Sequence, residues 1–427
     1  MEFFKKHSGS LLFKLFSLNG FSVFVKVLTG FVTSKFLAIT IGTAGLGLLG
    51  NFRNFLSSID TLGTLGLHTG IVKFVASADS DVQRLKKITS TVFVCLCVNS
   101  ALIAIVLLGF SGFFFQKVLN GQIEFSYLFV LLAIVLPLYL GNLFLNSILT
   151  GLGNVKNTLK VGIIGNVITL IVTIGLVYKF QLVGALLSSV LIPAMLFFFN
   201  YYFVSRKIEL LQNSSFKDFD LELFKNLMHY FLMGCVTGLL GSVVPLIIRN
   251  WLIKHTGLEE AGYLEAMVRI STYYFLFLNN FVTIYYFPRL AKANAVSEEK
   301  KIIWEYYKSA IPLFCLILLM VFILKDIIIQ ILFTPDFYPV KKLFMWQIIG
   351  DFFKAVSWIL GIIFLARQKT VLFIVTEVIS FSILLISSLF LIPEYGVEGA
   401  VMAHAINYFL YALMLVVYFR KKVFGGG

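Results

Sequence analysis

Charge is what this chain has least of. Only 13% of its 427 residues are Asp, Glu, Lys or Arg, against about 25% in an average soluble domain. So few charges cannot solvate a globular surface, and the water-soluble classes are excluded: lipid must cover most of it. Cysteine is scarce as well. Cys95, Cys97, Cys235 and Cys315 lie inside apolar stretches with neither metal-ligand spacing nor a pairing pattern, so they read as packing residues. No Walker A loop, His-Glu-x-x-His, Gly-x-Ser-x-Gly or acidic cluster is present, which argues against ATP hydrolysis and hydrolytic catalysis and leaves no cofactor or metal to expect. Period-2 alternation is missing too, which argues against an outer-membrane barrel.

What remains is apolar sequence in long runs, at 59% hydrophobic residues and a mean hydropathy of +0.93. A spanning helix needs about 20 mostly apolar residues. Uncharged runs of that order cover 88–116, 125–155, 161–178, 180–205, 270–288 and 399–419. Stretches 11–39, 44–75, 221–252, 302–324, 343–366 and 371–392 qualify with one or a few embedded charges. The expected fold class is therefore an all-α membrane protein of about twelve transmembrane helices. Lys14, Lys26 and Lys35 interrupt the first stretch and no small-residue cleavage site follows, so it reads as a retained span rather than a signal peptide.

The formal net charge of +14 invites a nucleic-acid reading, and the placement of the charges removes it. With the first terminus in the cytoplasm, Lys5, Lys6, Arg84, Lys86, Lys87, Arg206, Lys207, Arg289, Arg367 and Arg420 fall on the cytoplasmic side. The loop cations divide roughly three to one in favour of that side, as the positive-inside rule requires, with both termini cytoplasmic. No nucleic-acid partner is needed.

An internal echo suggests two halves. Phe180-Gln-Leu-Val-Gly184-Ala185 and Tyr395-Gly-Val-Glu-Gly399-Ala400 share an aromatic-x-aliphatic-x-Gly-Ala pattern, each between a penultimate and a final helix. Gly141-Asn142-Leu-Phe144 pairs more weakly with Gly350-Asp351-Phe-Phe353. Two six-helix bundles follow, 1–210 and 211–427, joined by the polar stretch 205–220.

Charges inside the spans carry the functional signal, since one at mid-bilayer costs about 2.5–3.5 kcal/mol on insertion scales. Lys26, Arg53, Arg269, Asp351 and Lys354 fall near the middle third, Lys35 and Arg249 nearer the outer ends, and Asp60, Glu265 and Glu377 also lie within spans. Glu265 and Arg269 are spaced for an i,i+4 pair, Asp351 and Lys354 for an i,i+3 pair. Lys26 and Arg53 have no acid within a turn. Cations outnumber acids in this set, which favours an anionic headgroup such as diphosphate, with Lys26, Arg53, Arg249, Arg269 and Lys354 as its ligands. Glu377, Asp351 and Asp60 are the candidates for coupling to an ion. The lone histidines His229 and His404 read as structural. Tyr273, Tyr274, Tyr285, Tyr286, Tyr306 and Tyr307 offer faces for sugar rings, with membrane-interface aromatics the commoner alternative. Gly63, Gly66 and Gly70 allow the second helix to bend or pack closely.

Gly42-Thr-Ala-Gly-Leu-Gly47 with Asn51-Phe52-Arg53, and Trp346-Gln-Ile-Ile-Gly350-Asp351-Phe-Phe-Lys354 with Glu377-Val378, resemble segments of the O-antigen translocases and lipid III flippases. That family belongs to the multidrug/oligosaccharidyl-lipid/polysaccharide exporter superfamily. The resemblance implies a MATE-like fold of two six-helix lobes in the bacterial inner membrane. It also implies alternating access, coupled to protons or sodium, that carries undecaprenyl-diphosphate-linked oligosaccharide to the periplasmic leaflet, with glycan polymerase machinery as a further partner. The rival readings are a multidrug or cation antiporter of the same superfamily and a membrane glycan polymerase. Short outer connections disfavour the latter.

Overall fold

The computed structural model describes residues 11–78, 81–121, 125–153, 155–205, 218–293, 295–367 and 369–420. Most of the connecting stretch 205–220, Lys5, Lys6, Arg206, Lys207 and the side chain of His229 lie outside the described residues. The helical run Leu11–Gly63 is interrupted at Gly42 (φ 64°, ψ −167°), giving α1 (11–41) and α2 (43–63). Then follow α3 (His68–Ser77), α4 (Val82–Gly109), α5 (Ser111–Val118) and α6 (Tyr127–Gly151). The run Val155–Ser205 is interrupted at Gln181 (φ 49°, ψ −123°), giving α7 (155–180) and α8 (182–205). After these come α9 (Leu221–Thr256), α10 (Leu258–Phe281), a π turn at Val282–Tyr286, α11 (Phe287–Lys292), α12 (Val296–Ile323) and α13 (Lys325–Leu332). A 3-10 segment, Pro335–Leu343, leads into α14 (Phe344–Ala366), α15 (Thr370–Tyr395) and α16 (Val397–Phe419).

Among the described residues nine helices are long and apolar enough to cross a membrane, and two of them, of 44 and 48 residues, contain the interruptions at Gly42 and Gln181. At about 1.5 Å per residue each would be roughly twice the ~30 Å hydrocarbon thickness. Each is therefore two crossings. α10 escapes the apolar criterion because it carries Glu259, Glu260, Glu265 and Arg269; with it the crossings reach the expected twelve. The outer surface is apolar, with Ile105, Ile134, Ile171 and Phe390 between 65% and 76% exposed. In water a contiguous surface of this kind would drive association, whereas hydrocarbon leaves it at rest. This is a multi-pass membrane protein.

The chain divides into two units, one of residues 1–40 and 52–239, the other of 41–51 and 240–427. In the first, α6 packs along the α7–α8 run; in the second, α14 and α15 both pack on α16. At the cytoplasmic-side entry to α9, Asp220 caps the helix by accepting from the Leu223 N–H at 3.0 Å. That bond, with Lys87 nearby, holds the Asp220 carboxyl below the usual carboxylate range.

The echoed Gly-Ala motif proves to be one tight inter-helical turn built twice. Gln181 and Gly396 each follow an aromatic residue and each have positive φ, 49° and 58°. The chain doubles back so sharply that a Cβ on Gly184 would lie 2.0 Å from the Leu176 carbonyl oxygen, and one on Gly399 would lie 2.3 Å from that of Leu391. Only glycine leaves room for this approach. The weaker echo is chemical more than geometric. Gly141 lies beneath Phe197 and Gly350 beneath His404, but these partners fall at different distances along the final helix of each unit.

Valine at 399 should cost about 1–3 kcal/mol or more through overpacking, read as a lower melting temperature of the detergent-purified protein. Gly175→Val, where nothing lies within 4 Å of the added Cβ, is the matched control. Equal melting of the two variants would contradict the tight turn.

Candidate functional site: charge networks inside each helical unit

In the second unit the embedded charges of α9 and α10 meet. Glu265 Oε2 accepts from Arg249 Nη2 at 2.9 Å, and its Oε1 accepts from Arg269 Nε, also at 2.9 Å. All three side chains are buried, Arg249 at 3% exposure. The expected i,i+4 pair is present, joined by a second guanidinium from the neighbouring helix. One carboxylate between two guanidiniums leaves a surplus positive charge. Arg249 Nε and Nη1 are buried without a hydrogen-bond partner among the described residues. Glycine lets the network close: a Cβ on Gly50 would fall 1.9 Å from Arg249 Nη1 and 2.6 Å from Glu265 Oε2. Beside it, Asn51 donates its amide to Asn250 at 2.8 Å.

Asp351, on α14, is fully buried and serves as a hub. Its Oδ2 accepts from Ser271 Oγ at 2.7 Å and from the Tyr274 hydroxyl, both on α10. Gln347 Nε2 lies 3.2 and 3.1 Å from the two oxygens, and His404 Nε2 on α16 lies 3.0 Å from Oδ1. These donors account for most of a carboxylate's acceptor capacity, so Asp351 ties three helices together. The sequence suggested Lys354 as its partner. Instead Lys354 Nζ sits over two rings, 4.5 Å from the centroid of Phe275 and 5.4 Å from that of Tyr408, and forms no ion pair within 4.0 Å among the described residues. Aromatic faces hold a cation in place without cancelling its charge. Lys354 thus keeps a full positive charge, half-buried.

Two carboxylates have a different surrounding. Glu377 Oε1 accepts from the Tyr411 hydroxyl at 2.9 Å, and in the first unit Asp60 accepts from Tyr139. Neither has a basic partner within 4.0 Å among the described residues. Also in the first unit, Lys26 and Arg53 are exposed and Lys35 is half-buried.

The tyrosines read as sugar platforms mostly hold helices together. Tyr286 bonds Ser309 at 2.9 Å, Tyr306 donates to the Ala355 carbonyl at 2.8 Å and Tyr307 to that of Val356 at 3.0 Å. Tyr285 donates to Glu305 at 2.8 Å, and Tyr274 is consumed by Asp351.

Set beside known proteins, residues 13–294 match the model of a family described as polysaccharide biosynthesis protein. The chain belongs to that family. Relatives named lipid III flippase, from Escherichia coli strain K12 and Shigella flexneri, are each 26% identical over 391 residues, covering 91% of this chain and 94% of the relative. An inward-facing multidrug resistance MATE transporter of the MOP superfamily superposes with a TM-score of 0.74 at 14% identity, covering 93% of this chain and 94% of that one. The lipid II flippase MurJ in an inward closed conformation does so at 0.70 and 16% identity, covering 96% and 89%. A MOP superfamily transporter from Pyrococcus furiosus, whose structure is described by a reversed polarity of its binding pocket, reaches 0.67 at 14% identity over 94% and 95%. Identities this low establish the fold. This polysaccharide biosynthesis protein has the MATE-like fold of that superfamily.

Glu265→Gln in this family member would leave two buried guanidiniums facing a neutral amide. Breaking a buried pair by removing one partner costs about 3–5 kcal/mol, so the variant should melt well below the parent in detergent. An unchanged melting temperature would show that the triad does not hold α9 to α10.

Proposed function

We propose that the protein is a flippase that moves undecaprenyl-diphosphate-linked oligosaccharide from the cytoplasmic to the periplasmic leaflet of the bacterial inner membrane. The observation that carries this reading is the uncancelled charge of Lys354, held in position by Phe275 and Tyr408. A diphosphate supplies the missing negative charge, and a lysine ammonium meets phosphate oxygens as a mobile point charge. Lys26 and Arg53 extend the cationic set. Arg249 and Arg269 complete it, because their two guanidiniums share one carboxylate and Arg249 keeps two nitrogens without partners. The likeness to proteins named lipid III flippase over nearly the whole chain supports the same cargo class.

Transport proceeds by alternating access of two lobes, 1–210 and 211–427, each built of six crossings. The coupling ion, a proton or sodium, is taken up at Glu377, Asp351 or Asp60. Of these, Glu377 and Asp60 are the less encumbered, each meeting a single tyrosine, whereas uptake at Asp351 requires its donors to rearrange. Both termini face the cytoplasm, and polymerase machinery receives the product.

The MATE-like fold favours one rival, export of drug cations. The excess of embedded cations opposes it, since such a cargo calls for a cavity richer in acids.

In proteoliposomes, leaflet-resolved assay of a defined diphosphate-linked oligosaccharide should show protein-dependent flipping that responds to an ion gradient. Arg53→Ala should abolish complementation of a flippase-null strain at normal protein level. Normal surface polysaccharide in that strain would remove Arg53 from the site. Drug hypersensitivity of a deletion strain with intact glycan would favour the rival.

A further inference from the structure

The second crossing is broken midway. α2 ends at Gly63, α3 begins at His68, and between them Leu65 (φ 52°) and Gly66 (φ 59°) hold left-handed backbone. The glycines that suggested a bend mark this place. Asn99 of α4 meets the freed carbonyls, donating to Leu62 and Gly63 at 2.6 and 2.7 Å. Asp60, one turn earlier, is less well served. Its Oδ1 is buried and has no hydrogen-bond partner among the described residues, and Tyr139 is its one side-chain donor. A cavity of about 270 Å³ opens at this point, lined by Asp60, Thr61, Thr64, His68, Asn146 and Ser147, with no lysine or arginine in its wall.

The hydroxyl protons settle the polarity of that cavity. Thr61 Oγ1 donates to the Ser57 carbonyl at 3.0 Å, Thr64 Oγ1 to the Asp60 carbonyl at 2.6 Å and Ser147 Oγ to the Leu143 carbonyl at 2.9 Å. Each proton is spent on its own helix, a common economy for Ser and Thr in helices. His68 Nδ1, 2.6 Å from Ser147 Oγ, then acts as the donor in that contact. The hydroxyls are left as acceptors, beside the Asn146 amide and one carboxylate. A single carboxylate among neutral oxygens is the donor set of a hard monovalent cation, and breaks in membrane helices are where such ions bind. A divalent ion would leave net charge in the apolar slab. A proton would satisfy Asp60 alone and make no use of the neighbouring oxygens.

We infer that this cavity binds one sodium ion, with Asp60 supplying the charge and Thr64, Asn146 and Ser147 supplying neutral oxygen ligands. The inference rests on the coupling role proposed for Asp60 and names its ion and its shell.

The test is equilibrium binding of ²²Na⁺ to the detergent-purified full chain, without lipid-linked substrate. The parent should bind one ion. Asp60→Asn should weaken binding about tenfold or more, equivalent to at least 1.4 kcal/mol, while Asp326→Asn, a surface carboxylate paired with Lys341, should not. Thr64→Val keeps the size of the side chain and removes one ligand, so it should also lower affinity and covers the case in which Asp60→Asn fails to fold. Absence of sodium binding by the parent, or unaltered affinity in a folded Asp60→Asn or in Thr64→Val, would overturn the site. Because no oligosaccharide is present, such a result would leave the flippase reading to its own transport assay.

Discussion

An ionised side chain among membrane helices must be neutralised, solvated or given a ligand, and the arrangement of this protein follows from how each embedded charge meets that demand. Glu265 answers two guanidiniums at once. Asp351 collects donors from three helices. Lys354 receives aromatic faces, which steady it and leave its charge intact. Buried ion pairs add little net stability against apolar packing, yet losing one partner is expensive. The networks therefore bind helices into fixed positions and make their surplus charge a fixed property of the fold.

Close backbone approach makes these networks possible. The Arg249–Glu265 contact lies directly against Gly50, and His404 reaches Asp351 beside Gly350. Gly47 rests on the Leu258 carbonyl and Gly262 on that of Thr43, which brings the segment 41–51 against α10 within the second unit. Side chains at these positions would push the helices apart and strand the charges. Glycine thus acts upstream of electrostatics here: it sets the spacing at which charge compensation works.

Much of this was legible from hydropathy, because lipid imposes length and apolarity on every crossing. The Gly-Ala echo was legible because a turn too tight for a Cβ admits few residues, and Glu265–Arg269 because both lie on one helix face. Partners on other helices were not. Nothing in the local sequence of Asp351 points to His404 or Ser271, nor in that of Glu377 to Tyr411, since these pairings are made by tertiary packing. The histidine set aside as structural, His404, turned out to complete the Asp351 hub. The paired tyrosines misled in the opposite direction: an aromatic ring on sequence shows a face, but its hydroxyl had already been claimed by Ser309, Ala355 or Val356.

The account's central claim is that fixed surplus positive charge selects the anionic headgroup of the cargo. It is tested most directly by comparing flipping of one oligosaccharide on a diphosphate and on a monophosphate lipid carrier, for the parent and for Lys354→Gln. The account predicts a preference for the diphosphate of about tenfold or more, the worth of one charge-assisted contact, which collapses in the variant. Equal rates for both carriers in the parent, or an undiminished preference in Lys354→Gln, would contradict it.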